Sequence, residues 1–123
     1  MKRRSGQIDS YITRDGSVIR ELLHPSRDPI LNQSIAEASV APGVTTHLHR
    51  HHQSEEVYYV LRGAGEMRLD DRCFSIAPGD TILIPPGTPH QLHNNGSEAL
   101  VILCCCCSPA YYHQHTQLLD ECN

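Results

Sequence analysis

Residues 43–63 read GVTTHLHRHHQSEEVYYVLRG, and residues 79–94 read GDTILIPPGTPHQLHN. The first stretch puts His47, His49, His51 and His52, four of the chain's nine histidines, inside six positions. Side chains alternate along a β-strand, so His47, His49 and His51 share a face if the strand runs straight through them, and His52 faces away. Two imidazoles at i and i+2 can reach one ion from neighbouring pleats. Any further ligand must come from another strand. Glu55 and Glu56 open the next one, and His90 opens a later one after a Pro-Gly turn.

Short strands separated by turns extend in both directions. SYITRDGSVIRELL (10–23) carries a hairpin signal at Asp15-Gly16. HPSRDP (24–29) reads as a loop and NQSIAEASV (32–40) as a strand ended by Ala-Pro-Gly. VTTHLH (44–49), EVYYVLRG (56–63), EMRL (66–69), CFSI (73–76), TILI (81–84), HQLH (90–93) and ALVILCCCC (99–107) follow. Turns every 8–12 residues are the rhythm of an all-β sandwich or barrel. The tail, SPAYYHQHTQLLDECN, reads either as a short helix or as a segment wrapped along the barrel. The stretches around Tyr58 and Leu100 are apolar on both faces. A small barrel has one interior, so the other face needs a cover, and a homodimer is the expectation.

These residues resemble the cupin superfamily. Its first motif, G-x5-H-x-H-x4-E-x6-G, is matched by Gly43, His49, His51, Glu56 and Gly63. Its second, G-x5-P-x-G-x2-H-x3-N, is matched by Gly79, Pro85, Gly87, His90 and Asn94. The resemblance implies a double-stranded β-helix, or jelly-roll barrel, with His49, His51, Glu56 and His90 as metal ligands and Asn94 in a structural role. Three imidazoles and one carboxylate suit a divalent transition metal (Fe, Mn, Ni, Cu, Co or Zn) without choosing among them. The barrel is expected over residues 31–109, with residues 1–30 as N-terminal strands and loop of the same domain and 110–123 as a C-terminal tail.

Pleat parity nominates residues beyond the motifs. His47 lies one pleat before His49 and is expected to face the cavity, as a substrate contact, proton shuttle or alternative ligand; a hydrogen-bonded wall residue is the plainer reading. Tyr58 and Val60 share a face with Glu56, and Leu92 shares one with His90. Glu37 points either inward, as a base or a partner of a ligand histidine, or outward into solvent. His47, Glu37 and Tyr58 are the candidate catalytic groups. Met67 reads as cavity lining or as ordinary core. His52 and His93 read as outward residues, His113 and His115 as part of a solvated tail, and His24 as an uninformative loop residue.

The chain has 123 residues, a net charge of −4 and no basic stripe beyond Lys2, Arg3 and Arg4, so a nucleic-acid partner is not expected. No stretch is apolar for the ~18 residues that crossing a bilayer requires, and MKRR is followed by polar residues, so a cytoplasmic protein with no membrane partner is expected. Of the six cysteines, Cys104 to Cys107 are consecutive. That run suits neither a disulfide framework nor a zinc knuckle and reads as reduced, small, buried side chains on a core strand. Cys73 and Cys122 have no evident partner. Two functions remain open. One is a metal-dependent enzyme, a dioxygenase or a non-redox isomerase or lyase, acting on a small oxygenated metabolite. The other is a non-catalytic cupin that binds a small, sugar-like ligand or the metal itself. A third, weaker reading gives the cysteine run a redox or metal-handling role.

Overall fold

The computed structural model describes residues 1–107 and 116–119. Its strands are β1 (Tyr11–Ile12), β2 (Val18–Leu23), β3 (Gln33–Val40), β4 (His49–His51), β5 (Glu55–Arg62), β6 (Gly65–Leu69), β7 (Arg72–Ile76), β8 (Thr81–Ile84), β9 (His90–His93), β10 (Leu100–Cys107) and β11 (Thr116–Leu118). They form two antiparallel sheets, ordered β1-β2-β3-β10-β5-β8 and β11-β4-β9-β6-β7. This is the double-stranded β-helix that the motifs imply. No helix among the described residues is long and apolar enough to cross a membrane.

Period-2 alternation decides what lies inside. On β3, Ser34, Ala36, Ala38 and Val40 are buried, and on β5, Glu56, Tyr58 and Val60 are. On β10 the inward set is Leu100, Ile102, Cys104 and Cys106. The registers stack these sets in rows: Cys104 lies between Ala36 and Tyr58, and Cys106 between Ser34 and Glu56. One end of the interior is therefore mainly apolar, with Val40, Val60, Met67, Leu92, Leu100 and Ile102 packed together. Each large aliphatic side chain buried there contributes roughly 1.5–3 kcal/mol relative to exposure. Toward the other end the rows turn polar, and the candidate site lies there. Met67 belongs to the core, as its plainer reading has it.

The cysteine run obeys the same alternation, which corrects part of the sequence reading. Cys104 and Cys106 are buried, Cys105 is half-buried and Cys107 is exposed, because alternate residues of one strand cannot all face the core. These four and Cys73 are free thiols. Cys122, His113 and His115 lie outside the described residues.

A second correction concerns 44–49. The regular strand begins at His49, after the segment that the alternation suggested. The backbone N–H of Thr46 donates to Leu92 at 2.9 Å, but the next N–H, of His47, donates to Asp15 in the β1–β2 turn at 2.7 Å. The chain leaves the sheet at that point and the alternation resets, so Thr46 is buried, His47 is exposed and His49 is buried again.

Two motif glycines have a visible reason to be glycine. Gly63 has φ 77°, and a Cβ there would collide with the carbonyl oxygen of Ala99. Gly87, at φ 79°, donates its N–H to the His51 carbonyl at 2.7 Å and so ties the turn before β9 to β4. Asn94 is fully buried. Its Nδ2 donates to the carbonyls of Val40 and Glu98, each at 2.8 Å, and its Oδ1 accepts from the Gly96 N–H at 2.9 Å. These bonds give the structural role expected of it a physical content.

On the outer face of the larger sheet, Tyr59, Leu61 and Leu83 are exposed at 42%, 39% and 54%. This is the second apolar face that the sequence around Tyr58 anticipates.

Gly63→Ala is expected to destabilise the fold by about 2 kcal/mol or more, because left-handed strain and a backbone collision add. The denaturant midpoint measures this; an unchanged midpoint would show that the β5–β6 turn relaxes freely.

Candidate metal centre

β4 contributes His49 and His51, β5 contributes Glu56 and β9 contributes His90. His49 and His90 are direct register partners across β4 and β9. All four residues are buried, each at 2% exposure or less. One ring nitrogen from each of His49, His51 and His90 lies within 4.8 Å of the others, a grouping able to hold a metal ion. Glu56 Oε1 lies 3.1 Å from His51 Nε2 and 3.6 Å from His90 Nε2. Residues far apart in the chain thus converge as the motif spacing requires.

The protonation state follows from the outer partners. His49 Nδ1 faces the His47 carbonyl at 2.9 Å, and His90 Nδ1 faces the Thr88 carbonyl at 2.9 Å. A carbonyl oxygen can only accept, so both Nδ1 atoms carry a proton, and in a neutral ring Nε2 is then the atom left to bind a cation. His51 Nδ1 pairs with Thr116 Oγ1 at 2.7 Å. The Nε2 atoms of His49 and His90 and Oε1 of Glu56 are buried and meet no hydrogen-bond partner outside the cluster. Neutral rings and a carboxylate aimed at one point need a cation between them, a proton or a metal ion, and buried polar atoms without partners are costly. This donor set fits a divalent transition metal: neutral imidazoles, one anionic oxygen, and ring orientations fixed from outside.

Electrostatics agrees. Burial, with His90 adding to it, pulls the His49 imidazole down to about 4, while Asp15 opposes the shift. Burial pushes the Glu56 carboxyl up, yet His51 and His90 together outweigh it and hold the group near about 2. Near neutral pH, His49 is therefore a neutral donor and Glu56 an anion.

The other expected residues divide. Tyr58 is buried on the Glu56 face, as parity implies, with its ring edge-on to His90 at a centroid distance of 5.9 Å. Val60 and Leu92 are buried on the faces expected of them. His47 is exposed, and not buried in the cavity as parity suggests, because the chain leaves the sheet there; its carbonyl orients His49. For Glu37 the outward alternative holds: it alternates with buried Ala36 and Ala38 and lies 3.8 Å from Arg20, away from the other candidate catalytic groups. His52 is exposed, and His93 is half-buried and bonded to Thr45 Oγ1 at 2.6 Å.

A cleft runs from Glu56 to the surface between β1, β2, β3 and β10. Ile19, Ala36, Cys104 and Cys106 form its walls, and Tyr11, Glu21 and His24 stand toward its mouth. The Tyr11 hydroxyl donates to Glu21 at 2.8 Å. Burial, and then Glu56, push the Cys106 thiol up to about 12 and raise Cys104 as well. Both stay protonated, which disfavours a thiolate role in the cleft. Sequence reasoning missed Tyr11, Glu21, His24 and Thr116. The first three lie outside both motifs, and Thr116 arrives through β11, which pairs with β4.

Because an unfolded chain protonates a histidine near 6.5 and His49 resists protonation until about 4, acid acts on the unfolded state first. Stability of the metal-free protein is expected to fall as pH drops from 6.5 toward 4, by an amount on the order of 2 kcal/mol. Denaturant unfolding across that range measures it, and His49→Gln should flatten the dependence. An equally steep dependence in the variant would assign the effect elsewhere.

Residues 36–106 match the family model described as a cupin domain. An uncharacterized protein of Methanocaldococcus jannaschii is 50% identical over 120 residues, 98% of this chain and 95% of that protein. The polyketide cyclase RemF from Streptomyces resistomycificus has a similar structure, with TM-score 0.77 at 27% identity, covering 87% of this chain and 79% of that one. A predicted oxalate decarboxylase from Thermotoga maritima shares the fold with TM-score 0.77 at 24% identity, covering 87% of this chain and 98% of that one. With the family model matched over more than half of its length, and with both motifs built into one buried cluster, the chain belongs to the cupin domain family.

Proposed function

We propose that this chain is a metal-dependent cupin that binds a small oxygenated metabolite in the cleft above Glu56 and acts on it as an enzyme. The carrying observation is the buried convergence of three imidazoles and one carboxylate, with the ring protons of His49 and His90 turned away from the centre. In this reading His49, His51, Glu56 and His90 hold one divalent transition metal. A metal held there supplies Lewis acidity toward carboxylate, enolate or diol oxygens.

The chain's own residues do the rest. The His47 and Thr88 carbonyls and Thr116 Oγ1 keep the three rings oriented. Ile19 and Ala36 exclude water from one side of the cleft. The Tyr11–Glu21 pair at the mouth offers a hydroxyl and a carboxylate to hydrogen-bond a polar ligand or to move a proton. Tyr58 packs edge-on against His90 and helps hold that ring. Two resemblances support small-molecule chemistry: RemF is a polyketide cyclase, and the Thermotoga protein carries the name of a predicted oxalate decarboxylase. A second copy of the chain is the proposed cover for Tyr59, Leu61 and Leu83, giving a homodimer.

The alternative is a cupin that binds ligand or metal without turnover. The Tyr11–Glu21 pair at the mouth of the cleft serves either reading, and turnover distinguishes them.

The test is elemental analysis of anaerobically purified protein, followed by oxygen uptake and product analysis on a panel of small carboxylates, diols and cyclisable polyketides. About one equivalent of metal per chain and metal-dependent turnover are expected. Turnover without oxygen would select an isomerase or lyase, and tight binding without turnover the alternative. Protein that neither retains nor takes up a divalent metal would overturn the assignment.

Two variants sharpen it. His49→Ala should abolish tight metal binding while circular dichroism still reports the β-barrel. Thr116→Val should weaken metal affinity by roughly tenfold, the usual effect of losing a group that orients a ligand histidine. Equilibrium dialysis measures both, and wild-type affinity in either variant would contradict the role of the residue replaced.

A further inference from the structure

The β1–β2 turn brings a second carboxylate to the imidazole cluster, and neither cupin motif contains it. Asp15 is mostly buried, with its side chain 13% exposed. One of its oxygens, Oδ1, is saturated: it accepts from the Ser17 N–H at 3.0 Å, from the Ser17 hydroxyl at 2.7 Å and from the Thr13 hydroxyl. Three donors on one oxygen fix the carboxylate plane and turn Oδ2 toward His49, whose Nε2 is 3.6 Å away. The same separation holds between Glu56 Oε1 and His90 Nε2. The Asp15 carbonyl also accepts the His47 N–H at 2.7 Å, and the His47 carbonyl faces His49 Nδ1. One residue thus ties the hairpin to the loop that orients the ligand.

Chemically, Oδ2 and His49 Nε2 are both acceptors. The ring proton of His49 is already committed to the His47 carbonyl, so no hydrogen bond joins them, and His49 Nε2 is buried with no other partner. Two facing lone pairs call for a cation between them. Donors adjacent in a metal's coordination sphere, at bonds of about 2.1 Å, stand about 3.0–3.4 Å apart, so the Asp15–His49 pair is within a few tenths of an ångström of the spacing of two donors on one ion. Glu56 addresses His51 and His90, whereas Asp15 addresses His49.

We infer that Asp15 is a fifth protein ligand to the metal of this site. This rests on the metal site proposed above and adds to it. Three neutral imidazoles and two carboxylates balance the charge of a divalent ion. They leave one position of an octahedral sphere for solvent, where three histidines and one glutamate leave two. A ligand chelating through two oxygens then has to displace Asp15, and the hairpin becomes part of the binding step.

The test uses Mn²⁺ with the full-length wild type and Asp15→Asn, reading the dissociation constant and the number of metal-bound waters from water-proton relaxivity. Asparagine retains an oxygen for the Thr13 and Ser17 donors, so the hairpin should persist, and the melting of the metal-free protein checks this. The expected result is Mn²⁺ binding at least tenfold weaker, with one additional bound water. Wild type and variant with the same affinity and the same water count would overturn the role of Asp15 while leaving the histidine site standing. A wild type that takes up no Mn²⁺ would overturn the site and this inference together. Should Asp15→Asn not fold, Ser17→Ala removes the hydroxyl donor to Oδ1 while leaving the carboxylate. Increased relaxivity in that variant supports the inference, and unchanged relaxivity opposes it.

Discussion

The molecule is organised around a buried point where three imidazole rings and a carboxylate oxygen converge, with no polar partner from outside the cluster at the inward nitrogens of His49 and His90. Such an arrangement is costly in a folded protein, because unsatisfied polar atoms in a low-dielectric interior lose their solvation. It persists because the surrounding structure over-determines it. The carbonyls of His47 and Thr88 capture the Nδ1 protons of His49 and His90, and burial keeps His49 neutral. Stability gained at the apolar end of the barrel offsets the cost of holding donors at the other end in a state that only a cation relieves.

The two sheets divide the labour. β4 and β9 place three histidines side by side, and β5 crosses from the other sheet with Glu56. The rows of Val40, Val60, Leu100 and Ile102 form a rigid plug behind the site, whereas Ser34, Cys106 and Glu56 line the interior in front of it. Displacing a donor therefore means slipping a strand, and a one-residue slip would exchange every inward and outward side chain. Metal-site geometry and core packing are enforced by the same register.

Much of this is legible in the chain itself. Fixed spacings carry the ligand set, because each spacing encodes a pleat count plus a turn, and Gly63 and Gly87 occupy positions where the backbone tolerates little else. Alternation places Tyr58, Val60 and Leu92 on the correct faces. It fails at His47 because one backbone hydrogen bond to Asp15 pulls the chain out of the sheet and resets the parity, an event with no local signature. It leaves Glu37 ambiguous because the neighbours on both sides are alanines, too small to mark a face. Asp15 reads as a turn residue, which it is. Its second role depends on where the hairpin docks, and that is decided by pairing β2 with β3 and not by anything between residues 10 and 23.

The convergence of donors on one ion is tested most directly by anomalous scattering from a crystal of the cobalt-loaded protein, recorded at the cobalt edge. One strong peak per chain is predicted, at about 2.1 Å from the Nε2 atoms of His49, His51 and His90, with a Glu56 oxygen at a similar distance. A peak bonded to Nδ1 atoms, a peak elsewhere in the barrel, or no peak at saturating cobalt would contradict it.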